Sequence, residues 1–199
     1  MKRKKEDIVR ESNLTYEDYA SLPDDGNRYE LAAGKLELMS PAPSSTHQFI
    51  SHRIVTTFTH TCEKDYIILF APIDVILAND EVRQPDVIMI KRQRLSIVTD
   101  RGIEGSPDLV VEILSPSSAL KDRKVKKNVY ANYGVNEYWI VDPVHETIEQ
   151  WVLVGDVDKR VYELQATYGE DETITSPFIA CLEVNAADVF NHPLSGKNN

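Results

Sequence analysis

Hydrophobic residues fall along the chain in short runs separated by polar turns, with two longer stretches of helical spacing. Apolar runs of roughly four to eight residues are typical of strands, whereas apolar positions three and four apart predict helices. Strands are predicted at residues 28–31, 35–39, 66–70, 74–77, 86–90, 109–114, 137–141, 147–153 and 160–165. Ala33-Gly34 lies between the first two and predicts a hairpin turn.

Helices are predicted at residues 15–22, 46–62, 120–133 and 186–190. Thr15 and Asp18 have the spacing of a capping box, and Gly134 is a natural residue to follow a helix C-terminus. The strand 109–114, the helix and the strand 137–141 together have the length of a right-handed βαβ unit. The order of elements therefore predicts an α/β or α+β fold with one mixed central sheet.

Length and charge narrow the class of protein. The chain has 199 residues, which predicts one domain at 14–190 between tails at 1–13 and 191–199. A net charge of −10 argues against a passive nucleic-acid binder, which normally carries a basic surface. It still permits an enzyme that gathers carboxylates around a metal ion.

The sequence also bears on location. No window approaches ~18 consecutive apolar residues, so no membrane span is predicted. Residues 1–5 are basic, but charged residues follow them instead of an apolar core, so no secretory signal of the usual form is predicted. A cytoplasmic location is expected, and Cys62 and Cys181 are expected to be buried free thiols.

Glu112 is the residue that points to chemistry, because it interrupts the apolar run 109–114. Such a run predicts a strand buried on both faces, where a carboxylate needs a partner or a cation. Asp108 lies four residues earlier on the same strand, about 13 Å away at ~3.3 Å per residue, which is too far to share one ion. Asp86 begins another strand and can converge with Glu112 if the two strands are neighbours. Asp108 is interpreted instead as a strand start or a residue with an outer role.

The helix at 120–133 supplies a candidate base or cation. At 100° per residue its inward stripe is predicted to be Val125, Val129 and Tyr133, and Lys126 falls on the same side together with Asp122 and Tyr130. A lysine near two carboxylates can hold a water molecule or neutralise a developing oxyanion.

Each of these residues also has a plain structural interpretation. Glu112 and Lys126 could form a buried ion pair without chemistry, and Asp86 could be a strand cap. Glu30 could be a half-exposed strand glutamate or an additional ligand to metal or water. Lys124 and Lys127 could form a solvated face or contact phosphates. The histidines are interpreted as surface or capping residues; they are His47, His52 and His60.

The motifs together resemble a known family. They comprise Arg28-Tyr29-Glu30-Leu31, Met39-Ser40-Pro41 with His47-Gln48, Pro85-Asp86-Val87, residues 107–117, Asp122-Arg123 with Lys126 and Tyr130, and residues 134–143. In order and number they resemble the Uma-type restriction endonucleases, a branch of the PD-(D/E)XK nuclease superfamily, over roughly residues 14–190. The resemblance implies a restriction-endonuclease-like core with a mixed central sheet flanked by helices, plus an N-terminal hairpin.

The resemblance also implies a site. Asp86 and Glu112 match the two acids that hold Mg²⁺ or Mn²⁺, with the Ile113 carbonyl as a further ligand. The superfamily's usual lysine would stand at Leu114, but this family's pattern places it on the next helix, where Lys126 matches. Glu30 matches an upstream acid of some superfamily members.

The implied reaction is metal-dependent hydrolysis of phosphodiester bonds in DNA. Arg123, Lys124 and Lys127 would contact the DNA backbone, which supplies affinity without sequence choice. A homodimer is compatible with cutting a duplex. The alternative function is a non-catalytic dimeric interaction or regulatory module on a nuclease-like fold.

Overall fold

The computed structural model describes residues 13–40 and 42–195, with more of them in strands than in helices. The helices among them are α1 (Tyr16–Ala20), α2 (Ser45–Cys62), α3 (Lys127–Asn132) and α4 (Ala186–Phe190). A π-helical turn at Lys121–Lys126 leads directly into α3, and a 3₁₀ segment covers Arg92–Ile97. No helix in this part of the chain is long and apolar enough to cross a membrane.

The N-terminal hairpin belongs to a six-stranded sheet. Its strands are β1 (Tyr29–Ala32), β2 (Lys35–Leu38), β4 (Val75–Ala78), β5 (Glu81–Arg83), β7 (Val98–Thr99) and β8 (Gly102–Glu104), in the order β2-β1-β5-β4-β8-β7. Gly34 turns the hairpin at φ +74°, and a Cβ there would lie 2.9 Å from the Cα of Asn13. Glycine therefore fits this turn both in conformation and in space.

The central sheet also has six strands. They are β3 (Tyr66–Phe70), β6 (Val87–Lys91), β9 (Leu109–Ile113), β10 (Glu137–Asp142), β11 (Thr147–Val154) and β12 (Val161–Tyr168), in the order β12-β11-β10-β9-β6-β3. β9 and β10 are parallel and joined by the π-helical turn and α3, and the other neighbours are antiparallel. Every residue of β9 and β10 is buried, as their apolar composition predicts.

Two hydrophobic cores cover the faces of the central sheet. One core packs α2, α4 and a small ribbon, β13 (Thr173–Thr175) with β14 (Glu183–Asn185), against residues such as Trp139. The other core packs α3 and the N-terminal sheet against residues such as Ile88 and Tyr138. The two sheets therefore meet on the side of α3, where the chain passes from β5 to β6.

The predicted fold class is confirmed, including the mixed central sheet, the N-terminal hairpin and the βαβ unit. The strands β5, β7, β8, β13 and β14 were not predicted, because each has only two or three residues and too short an alternation to detect. Residues 1–12 and 196–199 lie outside the described residues, so the predictions for those parts of the tails are untested. Asn191 is held against α2, where Arg53 Nε donates to its carbonyl at 3.1 Å.

The prediction of free thiols is wrong, because Cys62 and Cys181 form a disulfide. Their Cα atoms are 5.3 Å apart although 119 positions separate them in the sequence. Only the packing of the C-terminal ribbon against the end of α2 brings them together, and no local sequence pattern carries that information.

Candidate active site

Asp86 and Glu112 lie side by side on neighbouring antiparallel strands. The register pairs Val87 with Val111, which places Asp86 opposite Glu112. The Ile113 backbone N–H donates to Asp86 Oδ2 at 2.8 Å and fixes the aspartate at the start of β6. The predicted convergence of the two acids is therefore found in the fold, although Asp86 also acts as the strand cap that was its alternative interpretation.

Glu112 is buried and accepts two hydrogen bonds on one oxygen. Lys126 Nζ and the Tyr130 hydroxyl each donate to its Oε1 at 2.8 Å. The inward direction predicted for Lys126 is confirmed. The hydrogen bonds and the ion pair of the Glu112 side chain all involve Oε1. Its Oε2 accepts no hydrogen bond from the described residues.

Glu30 lies beside the same lysine, from the N-terminal sheet. Its Oε1 is 3.2 Å from Lys126 Nζ and accepts from the Gln84 backbone N–H at 3.1 Å. Its Oε2 accepts from Lys121 Nζ at 2.6 Å and lies 3.4 Å from Arg83. The interpretation of Glu30 as half-exposed is wrong, because its side chain is 1% exposed. The register of β1 with β5 turns it toward the junction of the sheets.

His47 is a site residue that the sequence analysis assigned to the surface or to capping, and that assignment is wrong. Its Nε2 lies 3.2 Å from Asp86 Oδ2, and its side chain is 12% exposed. Its Nδ1 is buried without a hydrogen-bond partner among the described residues. Because its position depends on how α2 crosses the central sheet, helical periodicity gave no signal for it; only its place in the family-like motif His47-Gln48 did.

The π-helical turn sets which side chains of the following helix face the site. Asp122, Lys126 and Tyr130 are buried, whereas Val125 is 47% exposed. The predicted apolar stripe is therefore wrong at Val125. A π-helical turn holds more residues than an α-helical one, so the fixed 100° step misplaces the stripe before α3.

Ion pairs join most of these residues into one carboxylate cluster, and Asp86 belongs to it through its position opposite Glu112. Its acids are Glu30, Glu37, Glu81, Asp86, Glu112 and Asp122, its permanent cations are Arg83, Lys121 and Lys126, and His47 stands beside Asp86. Six acids face three permanent cations, so the cluster carries a surplus of negative charge. Arg83 and Glu81 were not found from the sequence because β5 was not predicted.

The surplus of negative charge shifts the pKa values of the acids in different directions. Burial raises the pKa of Glu30, but Lys126, Lys121 and Arg83 outweigh it and bring that pKa down to about 2. Burial also raises the pKa of Glu112 well above its usual range, with only Lys126 opposing it. Burial alone would lower the pKa of the Lys126 ammonium, but Glu112, Glu30 and Asp122 raise it, so Lys126 stays charged. Glu112 thus has one cationic partner, Lys126, which it shares with Glu30 and Asp122.

The donor set fits a divalent cation with few protein ligands. Among the described residues, no three Asp, Glu, His or Cys side chains converge at metal-ligand distances. Mg²⁺ commonly binds through one or two carboxylates and keeps several waters. Asp86 and Glu112 can supply those carboxylates, since Asp86 Oδ1 and Glu112 Oε2 accept no hydrogen bond from the described residues. The Ile113 carbonyl belongs to the residue after Glu112 and lies next to them. Burial lowers the pKa of His47, but Asp86 beside it outweighs burial and raises that pKa.

The basic residues predicted to contact DNA are in different situations. Arg123 pairs with Glu149 and, at 3.2 Å, with Asp142 Oδ2. Lys127 Nζ lies 3.6 Å from the centre of the Trp151 ring. Lys124 is exposed and makes no ion pair with the described residues. Lys124 is therefore the one of these three side chains that is free to meet a ligand.

The acids interpreted as structural have structural contacts. Asp108 Oδ2 accepts from the Lys91 backbone N–H at 2.8 Å and pairs with Arg94 at 3.2 Å, at the far end of β9 from Glu112. This agrees with the preference for Asp86 over Asp108 as the partner of Glu112. Tyr138 and Trp139 are fully buried, as expected for core residues.

Comparisons with known proteins identify a family and a similar fold. The model of the Uma2 family, described as "Putative restriction endonuclease", matches residues 16–187. Among solved structures, a nuclease from Anabaena variabilis, titled as putative and belonging to DUF820, has a similar fold with a TM-score of 0.71. The two chains are 19% identical, and the alignment covers 89% of this chain and 97% of that one, so this likeness shows the fold. No curated protein matches the chain.

Proposed function

Because this chain belongs to the Uma2 family of putative restriction endonucleases, we propose that it is a Mg²⁺- or Mn²⁺-dependent endonuclease that hydrolyses phosphodiester bonds in DNA. The observation that supports this most is the position of Asp86 opposite Glu112, with Lys126 Nζ 2.8 Å from Glu112 Oε1. Two acids and an amine from three separate elements are close to one another, and such a set can bind a divalent cation and stabilise negative charge on a phosphate.

Asp86 and Glu112 would hold the ion, with the Ile113 carbonyl beside them. When bound, a divalent cation lowers the pKa of a coordinated water and offsets negative charge on the transferring phosphate. The cluster's surplus of acids favours such an ion, because a divalent cation would offset the buried negative charge of Glu112, whose one cationic partner, Lys126, is shared with Glu30 and Asp122.

Lys126 orients the attacking water or neutralises the phosphate. Its ammonium is charged and nearly enclosed, so its interaction with an anion is stronger than it would be in bulk water. Glu30 acts on this lysine and not on the ion in our proposal, because both of its oxygens already accept from or contact cations and the Gln84 N–H. It therefore holds Lys126 and Lys121 in place.

DNA is the proposed substrate, and Lys124 is the proposed contact with its backbone, with Lys127 and Arg123 next to it on the same helix. A homodimer would supply the two sites needed to cut both strands. A cytoplasmic location is proposed with this function, although the Cys62–Cys181 disulfide is a feature more common in oxidising compartments.

A second candidate function is the non-catalytic module. The observation that favours it is that Lys126 and Tyr130 both donate to Glu112 Oε1, so the buried carboxylate has partners within the protein. In that case the cluster only joins the two sheets, and divalent cations leave the protein unchanged.

Thermal melting with added Mn²⁺ separates the two functions. Binding to the folded state stabilises it by about 2.7 kcal/mol at a hundred times Kd, which is readily seen as a rise in Tm. We expect the rise in the wild type, and we expect Asp86→Asn and Glu112→Gln to lose both the rise and Mn²⁺-dependent cleavage of plasmid DNA. Asp108→Asn is the matched control, since Asp108 also follows a proline but lies at the other end of β9. Wild-type protein with neither a shift nor cleavage would support the non-catalytic module.

A further inference from the structure

We infer that Asp122 is a positioning residue that receives the Lys126 ammonium when a divalent cation engages Glu112. This inference rests on the proposed function and adds a residue to it. Asp122 lies on the π-helical turn, four residues before Lys126, and its side chain is 1% exposed.

The first observation is an unsatisfied oxygen. Asp122 Oδ1 is buried and has no hydrogen-bond partner among the described residues. It lies 3.6 Å from Lys126 Nζ, which is close enough for an ion pair but too far for a hydrogen bond. A shift of Nζ by less than ~1 Å toward Asp122 would bring the pair to the usual N–H···O distance.

The second observation is that the lysine has competing partners. Its Nζ is 2.8 Å from Glu112 Oε1 and 3.2 Å from Glu30 Oε1, so the three carboxylates surround one ammonium group. A divalent cation at Glu112 would repel the ammonium and take up the negative charge that now attracts it. Lys126 would then be drawn to the remaining acids, of which only Asp122 has a buried oxygen without a donor.

The third observation is that Asp122 is anchored whereas Lys126 can move. The carbonyl of Asp122 accepts from the Lys127 backbone N–H and from the Tyr138 hydroxyl, the latter at 3.1 Å. Its backbone is therefore fixed from two sides, one of them a fully buried residue of β10. A lysine ammonium stands on a flexible four-carbon chain, so Lys126 can pass from Glu112 to Asp122 by side-chain motion alone.

The exchange has a consequence for the proposed chemistry. Lys126 would remain within the site, charged and directed by Asp122, after Glu112 has turned to the ion. Without Asp122, binding of the ion would leave the ammonium with Glu30 alone, and the ion would bind more weakly. Loss of a residue that positions a metal ligand or its partner typically costs about 10- to 100-fold in metal affinity.

The test measures Mn²⁺ affinity by titration calorimetry and unfolding without metal by urea, in the wild type, Asp122→Asn and Asp142→Asn. We expect Asp122→Asn to weaken Mn²⁺ binding about tenfold or more. We expect little loss of stability in the metal-free protein, because Asp122 Oδ1 accepts no hydrogen bond that the substitution could break. Asp142→Asn is the matched control, because Asp142 pairs with the adjacent residue Arg123 but does not touch Lys126. We expect it to bind Mn²⁺ as the wild type does.

A crystal of wild-type protein soaked in Mn²⁺ gives a second readout that does not depend on a variant's folding. We expect Lys126 Nζ at hydrogen-bond distance from Asp122 Oδ1. Unchanged Mn²⁺ affinity in Asp122→Asn, a Nζ that stays on Glu112, or an Asp122 oxygen bound directly to the ion would each overturn this inference and leave the proposed function standing. A wild-type protein that binds no Mn²⁺ would overturn both.

Discussion

Lys126 Nζ lies 2.8 Å from Glu112 Oε1, at a point where the two side chains are 7% and 5% exposed. The two residues come from different elements, the π-helical turn and the C-terminal part of β9. Their contact closes the βαβ unit over the face of the sheet that carries the site. Removing one partner of such a buried pair leaves an uncompensated charge, which costs more than the pair itself contributes.

Lys126→Met should therefore destabilise the fold by about 3–5 kcal/mol and abolish metal-dependent cleavage. Mn²⁺ should restore part of that stability, because the ion can neutralise Glu112 in place of the ammonium. Urea unfolding with and without Mn²⁺ measures both effects. Lys124→Met is the control on the same turn, since Lys124 is exposed. A Lys126→Met protein as stable as the wild type would show that the pair contributes nothing to folding.

Lys124 should contribute to DNA affinity without affecting sequence choice. In a Glu112→Gln background, where DNA is not cut, Lys124→Ala should weaken binding equally for different sequences and reduce the salt slope by about one. The slope is measured by fluorescence anisotropy at several salt concentrations. Arg123→Ala should instead lower stability, because Arg123 pairs with Asp142 and Glu149. An unchanged slope in Lys124→Ala would place this helix away from the DNA.

The Cys62–Cys181 disulfide should stabilise the fold by about 2–4 kcal/mol, because it closes a long loop in the unfolded chain. Cys181 lines an open cleft of about 590 Å³ together with His60 and Glu183, so a small thiol can reach it. Melting with and without reductant measures the effect. In the Cys62→Ser/Cys181→Ser variant the reductant should have no effect on Tm. A wild-type protein with the same Tm in the presence and absence of reductant would mean that Cys62 and Cys181 do not form a disulfide.

Glu137 should make stability depend on pH. Burial raises the pKa of this carboxyl, although Trp139, Gln150 and Ser176 all donate hydrogen bonds to it. The folded protein therefore holds a proton that the unfolded chain has released. Stability should fall as pH rises from the ordinary glutamate pKa of 4.5 to the raised value in the fold.

Glu137→Gln should remove this part of the pH dependence. The carbonyl oxygen of a glutamine can still accept from Trp139 and Gln150, so those two hydrogen bonds are preserved. The bond from Ser176 is lost, since its hydroxyl oxygen already accepts from two backbone N–H groups and cannot take a third. Urea unfolding should be measured from acid to mildly basic pH. The free energy of unfolding of the variant should increase relative to that of the wild type as pH rises. Parallel profiles for the two proteins would mean that Glu137 does not titrate in that range.

The parts of the fold that follow from the sequence are those with local patterns. The apolar runs of β9 and β10 predict buried neighbouring strands, and the capping residues Thr15 and Asp18 correctly predict the start of α1. Asp86 and Glu112 could be paired because strand spacing limits which acids can meet. These features depend on residues close in sequence or on the geometry of a single sheet.

The parts that could not be predicted depend on how distant elements pack. His47 reaches Asp86 only because α2 crosses the central sheet, and Glu30 reaches Lys126 only because the N-terminal sheet meets it. Val125 was misplaced because a π-helical turn cannot be recognised from apolar spacing. In each case the deciding contact joins separate elements or breaks the regular helical step.

The backbone ladder between β6 and β9 sets the distance between Asp86 and Glu112, and nearly all other residues of those two strands are interior ones. Sliding one strand along the other by a single position would turn its interior residues to the opposite face. Interior packing therefore holds the separation of the two acids. The loops after β2 and β9 are instead exposed where the Ser40 and Ser117 hydroxyls form a hydrogen bond. Substitutions in these exposed loops would therefore leave the register that places Asp86 opposite Glu112 unchanged.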